Sequence, residues 1–210
     1  MPIQVLLADD HPVVREGLKA LLEREGFVVV AEASDGHEAV RLAQTLHPDV
    51  AVLDLSMPLL NGLQAAQEIH HVSPRTRTIL LTMYTEDHYV LEAIRAGIRG
   101  YVVKRQAVMD LVQAIREVAN GAIYLSPSIS QVMVQAYLSK TDLLPDPLSS
   151  RERQVLQLVA EGKTTKELAQ FLGISTKTAE SHRTRIMEKL DIHETASLVR
   201  YAIRRGLIQP

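Results

Sequence analysis

VLDLSMPLLNG, residues 52–62, joins the end of an apolar run to the start of a helical pattern. The run, Val50–Leu53, has the length of a buried strand, and Asp54 follows it directly. From residue 62 to 71 the sequence reads as an amphipathic helix. The same alternation continues in both directions. Runs rich in Val, Ile and Leu stand at Ile3–Ala8, Phe27–Ala33, Thr78–Thr82 and Gly100–Val103, with helix-period stretches at 12–25, 36–46, 86–96 and 107–119. In the first helix Val13, Val14, Leu18, Leu21 and Leu22 share one face; in the last, Leu111, Ala114, Ile115 and Val118 do. Five strands alternating with five helices predict an α/β fold: a doubly wound, five-stranded parallel (βα)5 domain. Such a sheet is covered on both faces and takes its ligands beyond the carboxyl ends of the strands.

The remaining sequence has a different character. Gly121 ends the fifth helix, Ser126 is placed to cap another over about 127–138, and 139–147 (SKTDLLPDP) reads as a linker. Residues 148–210 contain no strand-like run. The predicted division is 1–120, a linker with a helix over 121–147, and 148–210. Charge follows the same division. Residues 1–147 hold 12 Lys and Arg against 18 Asp and Glu, whereas residues 148–210 hold 11 against 7. A basic end suits nucleic acid.

With 46% hydrophobic and 23% charged residues, the composition is that of a folded protein rather than a disordered one. Cysteine is absent, which excludes disulfides, thiol chemistry and cysteine-ligated zinc. The N-terminus lacks the pattern of a signal peptide, and no apolar run approaches the roughly 18 residues that span a bilayer. A soluble cytoplasmic protein is expected.

Asp9 and Asp10 follow the first strand, Asp54 the third, Thr82 ends the fourth and Lys104 follows the fifth. In a parallel sheet these positions share one edge. Any one such aspartate is explained as a helix or turn cap, but the set at four strand ends is not. Converging carboxylates need a compensating cation, and oxygen ligands of this kind suit Mg²⁺. A carboxylate nucleophile, an ammonium, a hydroxyl and a metal together form a site for accepting a phosphoryl group.

The segments LLADDH (6–11), VLDLSMPLLNG (52–62), LTMY (81–84) and GYVVK (100–104) resemble the signatures of response-regulator receiver domains over all of residues 1–120. The resemblance implies that Asp54 is the phosphoacceptor. It implies Mg²⁺ binding by Asp10, Asp54 and the backbone carbonyl of Ser56, with Asp9 acting mostly through water. Lys104 would pair with the phosphoryl oxygens, Thr82 would hydrogen-bond one of them, and Tyr101 would follow Thr82 inward as a switch. Many receivers have proline after the lysine, where this chain has Arg105. Ser56 and Tyr84, which flank the site, are expected to set the lifetime of the phosphate.

In the basic segment, Ser149-x-x-Glu152 and Thr164-x-x-Glu167 are capping boxes that start helices, and four helices are predicted at about 150–161, 165–172, 176–190 and 195–205. Gly173 ends the second and Ser175 caps the third, the layout of a helix-turn-helix. The segment resembles the all-α four-helix DNA-binding domain of the LuxR/NarL/FixJ family, matching at Glu152, Leu156, Gly162, Leu168, Thr178, His182, Ile186 and Lys189 among others. Ala179 and Thr165 stand where Val and Asn are usual. On the third helix Ala179, His182, Ile186 and Leu190 face inward, and Lys177, Glu180, Ser181, Thr184 and Glu188 face out. Glu180, Ser181 and Thr184 are candidates for base contacts, while Lys166, Lys177, Arg183 and Arg185 are placed to neutralise phosphates. Ser175, at the helix start, belongs to the same surface.

Together these readings predict a transcription regulator rather than an enzyme. A sensor histidine kinase or small phosphodonor would phosphorylate Asp54, and the protein would bind double-stranded promoter half-sites as a homodimer, paired through the last helix around Leu198 to Ile203. Two alternatives are weaker. A dehalogenase-type phosphatase needs a second aspartate two residues after the nucleophile, where this chain has Ser56, and lacks the Asp9-Asp10 pair. A protein- or RNA-docking output fits poorly with a third helix whose outward face is polar and basic.

Overall fold

In the computed structural model, which describes residues 2–83, 90, 93, 94, 96–104, 107–130, 147–205, 207 and 208, the chain forms two units, Met1–Leu143 and Leu144–Pro210. In chain order the first contains β1 (Gln4–Ala8), α1 (Pro12–Arg24), β2 (Val28–Ala33), α2 (Gly36–Leu46), β3 (Val50–Asp54), α3 (Gly62–Val72), β4 (Arg77–Thr82), β5 (Gly100–Val103), α4 (Ala107–Ala119) and β6 (Tyr124–Leu125). Of the helix expected over 86–96, Val90, Ala93 and Ile94 are described and helical; Tyr84 and Arg105 lie outside the described residues.

The sheet is parallel throughout, in the order β2-β1-β3-β4-β5-β6. Alternation along each strand sorts the core into two layers. Val5, Leu7, Val50, Val52, Ile79, Leu81 and Val102 face Leu18 and Leu22 of α1 and Leu111, Ala114, Ile115 and Val118 of α4. Leu6, Ala8, Ala51, Leu53, Leu80, Tyr101 and Val103 face α2, α3 and Val90 and Ala93. Every strand between the edges is covered on both sides, which explains why the strands read as continuous apolar runs. Val13 and Val14 depart from the expected α1 face. Val13 is 83% exposed, because α1 turns Leu18 and Leu22 to the sheet.

The sixth strand is a correction to the predicted five. Tyr124 and Leu125, in the stretch read as linker, pair with Gly100 and Tyr101 of β5. A helix does begin at Pro127, with the Ser126 carbonyl accepting from Ile129 and Ser130, but the Ser126 hydroxyl turns to the sheet instead of capping it.

The second unit holds α5 (Ser150–Ala160), α6 (Thr165–Phe171), α7 (Thr176–Leu190) and α8 (Thr195–Arg204). Both capping boxes are formed, by Ser149 with Glu152 and by Thr164 with Glu167. Gly173 takes φ +63°, a left-handed conformation that stops α6 and lets the cap of α7, Ser175, follow two residues later. Leu156, Leu168, Ala179, Ile186, Leu198 and Ala202 form the buried centre on which the four helices pack.

Candidate functional site

β1 lies between β2 and β3, so the chain leaves it in opposite directions and a crevice opens beyond the ends of β1 and β3. The acidic residues stand there. Asp9 and Asp54 are 0% and 3% exposed, and Asp10 is half-buried. Lys104 enters from the end of β5 and places Nζ 2.8 Å from Asp9 Oδ2 and 2.9 Å from Asp54 Oδ2. Both are close ion pairs, and the first is also a well-formed hydrogen bond. Oxygens of Asp9, Asp10 and Asp54 and a ring nitrogen of His11 lie within 4.8 Å of one another.

Among the described residues, the carboxylates of Asp9, Asp10 and Asp54 outnumber the one ammonium that pairs with them. Burial pushes the Asp54 carboxyl above its ordinary pKa and Asp9 adds to the push, while Lys104 and the Ser56 backbone N–H hold it back. Burial alone lowers the Lys104 ammonium, but Asp54 and Asp9 outweigh it and the net shift is upward. The donor set is mainly hard oxygen, and this fits a small divalent cation such as Mg²⁺.

Local sequence explains the placement. Asn61 caps α3 by accepting from the Gln64 N–H at 2.9 Å, and Gly62 passes so close to β3 that a Cβ there would collide with the Asp54 carbonyl oxygen. The segment LSMPLLN is thereby folded back on the nucleophile's own backbone. Thr82 ends β4 fully buried and in register with Val103. Tyr101 is already inward, 1% exposed in the layer that also holds Val90 and Ala93.

The predicted residues Asp9, Asp10, Asp54 and Lys104 are thus brought together, with Ser56 and Thr82 at the adjoining strand ends. Two neighbours were not foreseen. His11 donates its backbone N–H to Asp9 Oδ1 at 2.9 Å and sets its ring Nδ1 2.7 Å from Asp10 Oδ1. Arg15, one turn into α1, donates to the Asp9 carbonyl at 2.6 Å and meets Glu32 of β2, which Lys19 also pairs at 2.6 Å. The triplet Asp-Asp-His was a signal for the first; Arg15 lay hidden in an amphipathic helix.

On α7, Ala179 and Ile186 are buried and His182 and Leu190 half-buried, whereas Lys177, Glu180, Ser181, Thr184, Arg185 and Glu188 are exposed. Lys166 on α6 is exposed too. Ser175 caps α7 by accepting from the Thr178 N–H at 3.1 Å. Arg183 is engaged within the motif, donating to Thr165 Oγ1 at 3.0 Å and bracing α7 against α6.

Comparison with known proteins agrees in both units. The response regulator receiver domain matches residues 5–116, and the luxR family of bacterial regulatory proteins matches residues 146–202. The chain belongs to the NarL/FixJ-type response regulators. The response regulator UvrY of Escherichia coli (strain K12) is 38% identical over 98% of this chain and 95% of its own length. The oxygen regulatory protein NreC of Staphylococcus carnosus (strain TM300) is 36% identical over 98% and 99%. Among solved structures, RcsB of Salmonella enterica serovar Typhimurium, bound to promoter rprA in the presence of the phosphomimetic BeF3⁻, is 29% identical. It covers 96% of this chain and 98% of its own, with a TM-score of 0.67. RcsB dimers bound to two parallel DNAs are 30% identical over 96% and 98%, with a TM-score of 0.60. This response regulator therefore joins a receiver to a helix-turn-helix, the composition of DNA-binding transcriptional regulators rather than of an enzyme family. Among its described residues no helix is long and apolar enough to cross a membrane.

Proposed function

We propose that Asp54 is the phosphoacceptor of this response regulator and that its phosphorylation controls sequence-specific DNA binding and transcription. The observation that carries the reading is Asp54, buried at the strand edge, with its Oδ2 2.9 Å from the Lys104 ammonium and the Asp9 and Asp10 carboxylates beside it. In the transfer, an Asp54 carboxylate oxygen attacks phosphorus, the bond from phosphorus to the donor breaks, and the leaving group keeps its electron pair. Lys104 offsets the phosphoryl charge, Thr82 hydrogen-bonds a phosphoryl oxygen, and Tyr101 carries the change to the adjoining face. Asp9, Asp10, Asp54 and the Ser56 backbone carbonyl would hold Mg²⁺, which supplies further charge neutralisation when bound.

The phosphodonor is a sensor histidine kinase or a small phosphorylated molecule, and the setting is the cytoplasm. Outputs are read at double-stranded promoter half-sites by a homodimer. Support comes from the exposed Lys166, Ser175, Lys177, Glu180, Ser181, Thr184 and Arg185, from Arg183 at their edge, and from the dimeric, DNA-bound state of the related RcsB. The proposed division is 1–120, 121–147 and 148–210, the first residues of the middle segment supplying the sixth strand. The chain is a switch and turns over no metabolite of its own. Incubation with acetyl phosphate and Mg²⁺, followed by peptide mass spectrometry, tests the reading. One phosphoryl group on the peptide containing Asp54, absent from Asp54→Ala, is expected; phosphorylation elsewhere, or none, contradicts it.

A further inference from the structure

We propose that Ser126 is a positioning residue for the phosphoryl site: from the segment leading toward the DNA-binding unit, it fixes the end of the strand that carries Lys104. The phosphorylation part of this inference rests on the function proposed for Asp54. The positioning part does not.

Ser126 is 0% exposed and ties three elements at once. Its backbone N–H donates to the Tyr101 carbonyl at 3.0 Å, extending the β5–β6 pairing by one bond. Its hydroxyl donates to Asp110 Oδ2 of α4 at 2.8 Å and accepts the Val103 N–H at 3.3 Å. Burial, with Asp110 and Glu117 beside it, pushes the Tyr124 hydroxyl above its ordinary pKa. The regular register between β5 and β6 ends at Tyr101 and Leu125. Beyond it, the Ser126 hydroxyl takes over the ladder's work at Val103. With Val103 and Ser126 both buried, loss of that hydroxyl leaves an N–H and a carboxylate oxygen to be satisfied by rearrangement.

Val103 is the last residue before Lys104, whose Nζ bridges Asp9 and Asp54. A rearranged Val103 therefore moves the base of a side chain that pairs with both buried carboxylates. Reciprocity gives the inference a regulatory side. If the docked segment holds Lys104 over Asp54, a phosphoryl group that draws Lys104 toward itself must change the docking of that segment by the same factor.

Two readouts in the full-length protein test this. The first is independent of phosphorylation: the rate at which acetic anhydride acylates Lys104, followed by peptide mass. An ammonium held between two carboxylates acylates slowly, and Ser126→Ala is expected to raise the rate about tenfold. Ser126→Thr, which keeps the hydroxyl, and Asp110→Asn, which keeps an oxygen acceptor for it, are expected to stay near wild type. Either conservative variant suffices if the other does not fold. The second readout is phosphorylation by acetyl phosphate with Mg²⁺. Ser126→Ala is expected to lower the maximal rate about tenfold with the half-saturating donor concentration unchanged, since Lys104 meets the transferred group and not the remainder of the donor. Equal Lys104 acylation in wild type and Ser126→Ala overturns the proposal, as does a folded Asp110→Asn that behaves like Ser126→Ala. Faster acylation in Ser126→Ala, with no phosphorylation of the wild type, would keep Ser126 as the positioning residue and remove the function proposed for Asp54.

Discussion

Replacing Glu152 by alanine tests how the DNA-binding unit is held together, because one carboxylate there does three jobs. Glu152 is 6% exposed and accepts the Ser149 N–H at 2.8 Å, the Ser149 hydroxyl at 2.9 Å and the Lys189 ammonium at 2.7 Å. It thus closes the cap of α5 and pins α7, the helix proposed to read DNA. Loss of such a cap costs about 1 kcal/mol. Lys189 is 44% exposed, so its pairing adds about 0–1 kcal/mol, and the total is about 1–2 kcal/mol. The pKa supports the same size. Burial alone raises it, but Lys189 and Ser149 outweigh burial and bring it from 4.5 to about 2. Unscreened, that gap is worth about 3 kcal/mol; solvent around Lys189 reduces it to about 1–2 kcal/mol. Since the folded pKa is the lower one, this stability is present above pH 4.5 and is lost as pH falls toward 2. Native-state hydrogen exchange of the α5 amides is the assay. Glu152→Ala should lower their opening free energy by about 1–2 kcal/mol at pH 7, and the difference from wild type should narrow to about half at pH 3. A difference below about 0.5 kcal/mol, the scale of an ordinary surface substitution, or one equal at both pH values, would refute the reasoning.

Three other perturbations have defined outcomes. Lys104→Met strands the Asp9 and Asp54 carboxylates, and a loss of about 3–5 kcal/mol is expected in urea unfolding at pH 7. Much of that loss should be regained at pH 5, because a buried carboxyl with a raised folded pKa destabilises only while ionised. Gly62→Ala drives a methyl group into the Asp54 carbonyl oxygen, so thermal unfolding should show a destabilisation of about 1–3 kcal/mol, accompanied by slower phosphorylation. In the basic unit, Lys177→Ala should weaken binding to all sequences alike and lower the salt slope of the binding constant by about 1, whereas Glu180→Ala should relax preference at one base pair by about 1–3 kcal/mol in selection from a promoter pool.

The five long strands were legible because a sheet covered on both faces needs apolar residues at every position, and uninterrupted Val, Ile and Leu runs state that directly. The site was legible for a related reason: in a parallel sheet the residue after each strand lands on one edge, so Asp9, Asp54 and Lys104 converge whatever the helices do. The capping boxes of α5 and α6 were local signals of four residues and formed as read. What escaped was non-local or too short to carry a period. β6 has two residues, and its pairing depends on β5 lying alongside. The Ser126 hydroxyl had a local use as a cap, but Val103 and Asp110, distant in sequence, compete for it and win. The pairing of Glu152 with Lys189 spans 37 residues, and the Arg15 contact with the Asp9 carbonyl requires a backbone partner that no sequence pattern announces.

Binding of the full-length protein to a pool of promoter fragments, with and without acetyl phosphate and Mg²⁺, tests the phosphorylation switch most directly when wild type is compared with Asp54→Ala. The account predicts tighter, sequence-selective binding of the wild type on phosphodonor treatment and no response from the variant. Selective binding indifferent to both the phosphodonor and the substitution would contradict control through Asp54, and absence of selective binding in every state would contradict a DNA-directed output altogether.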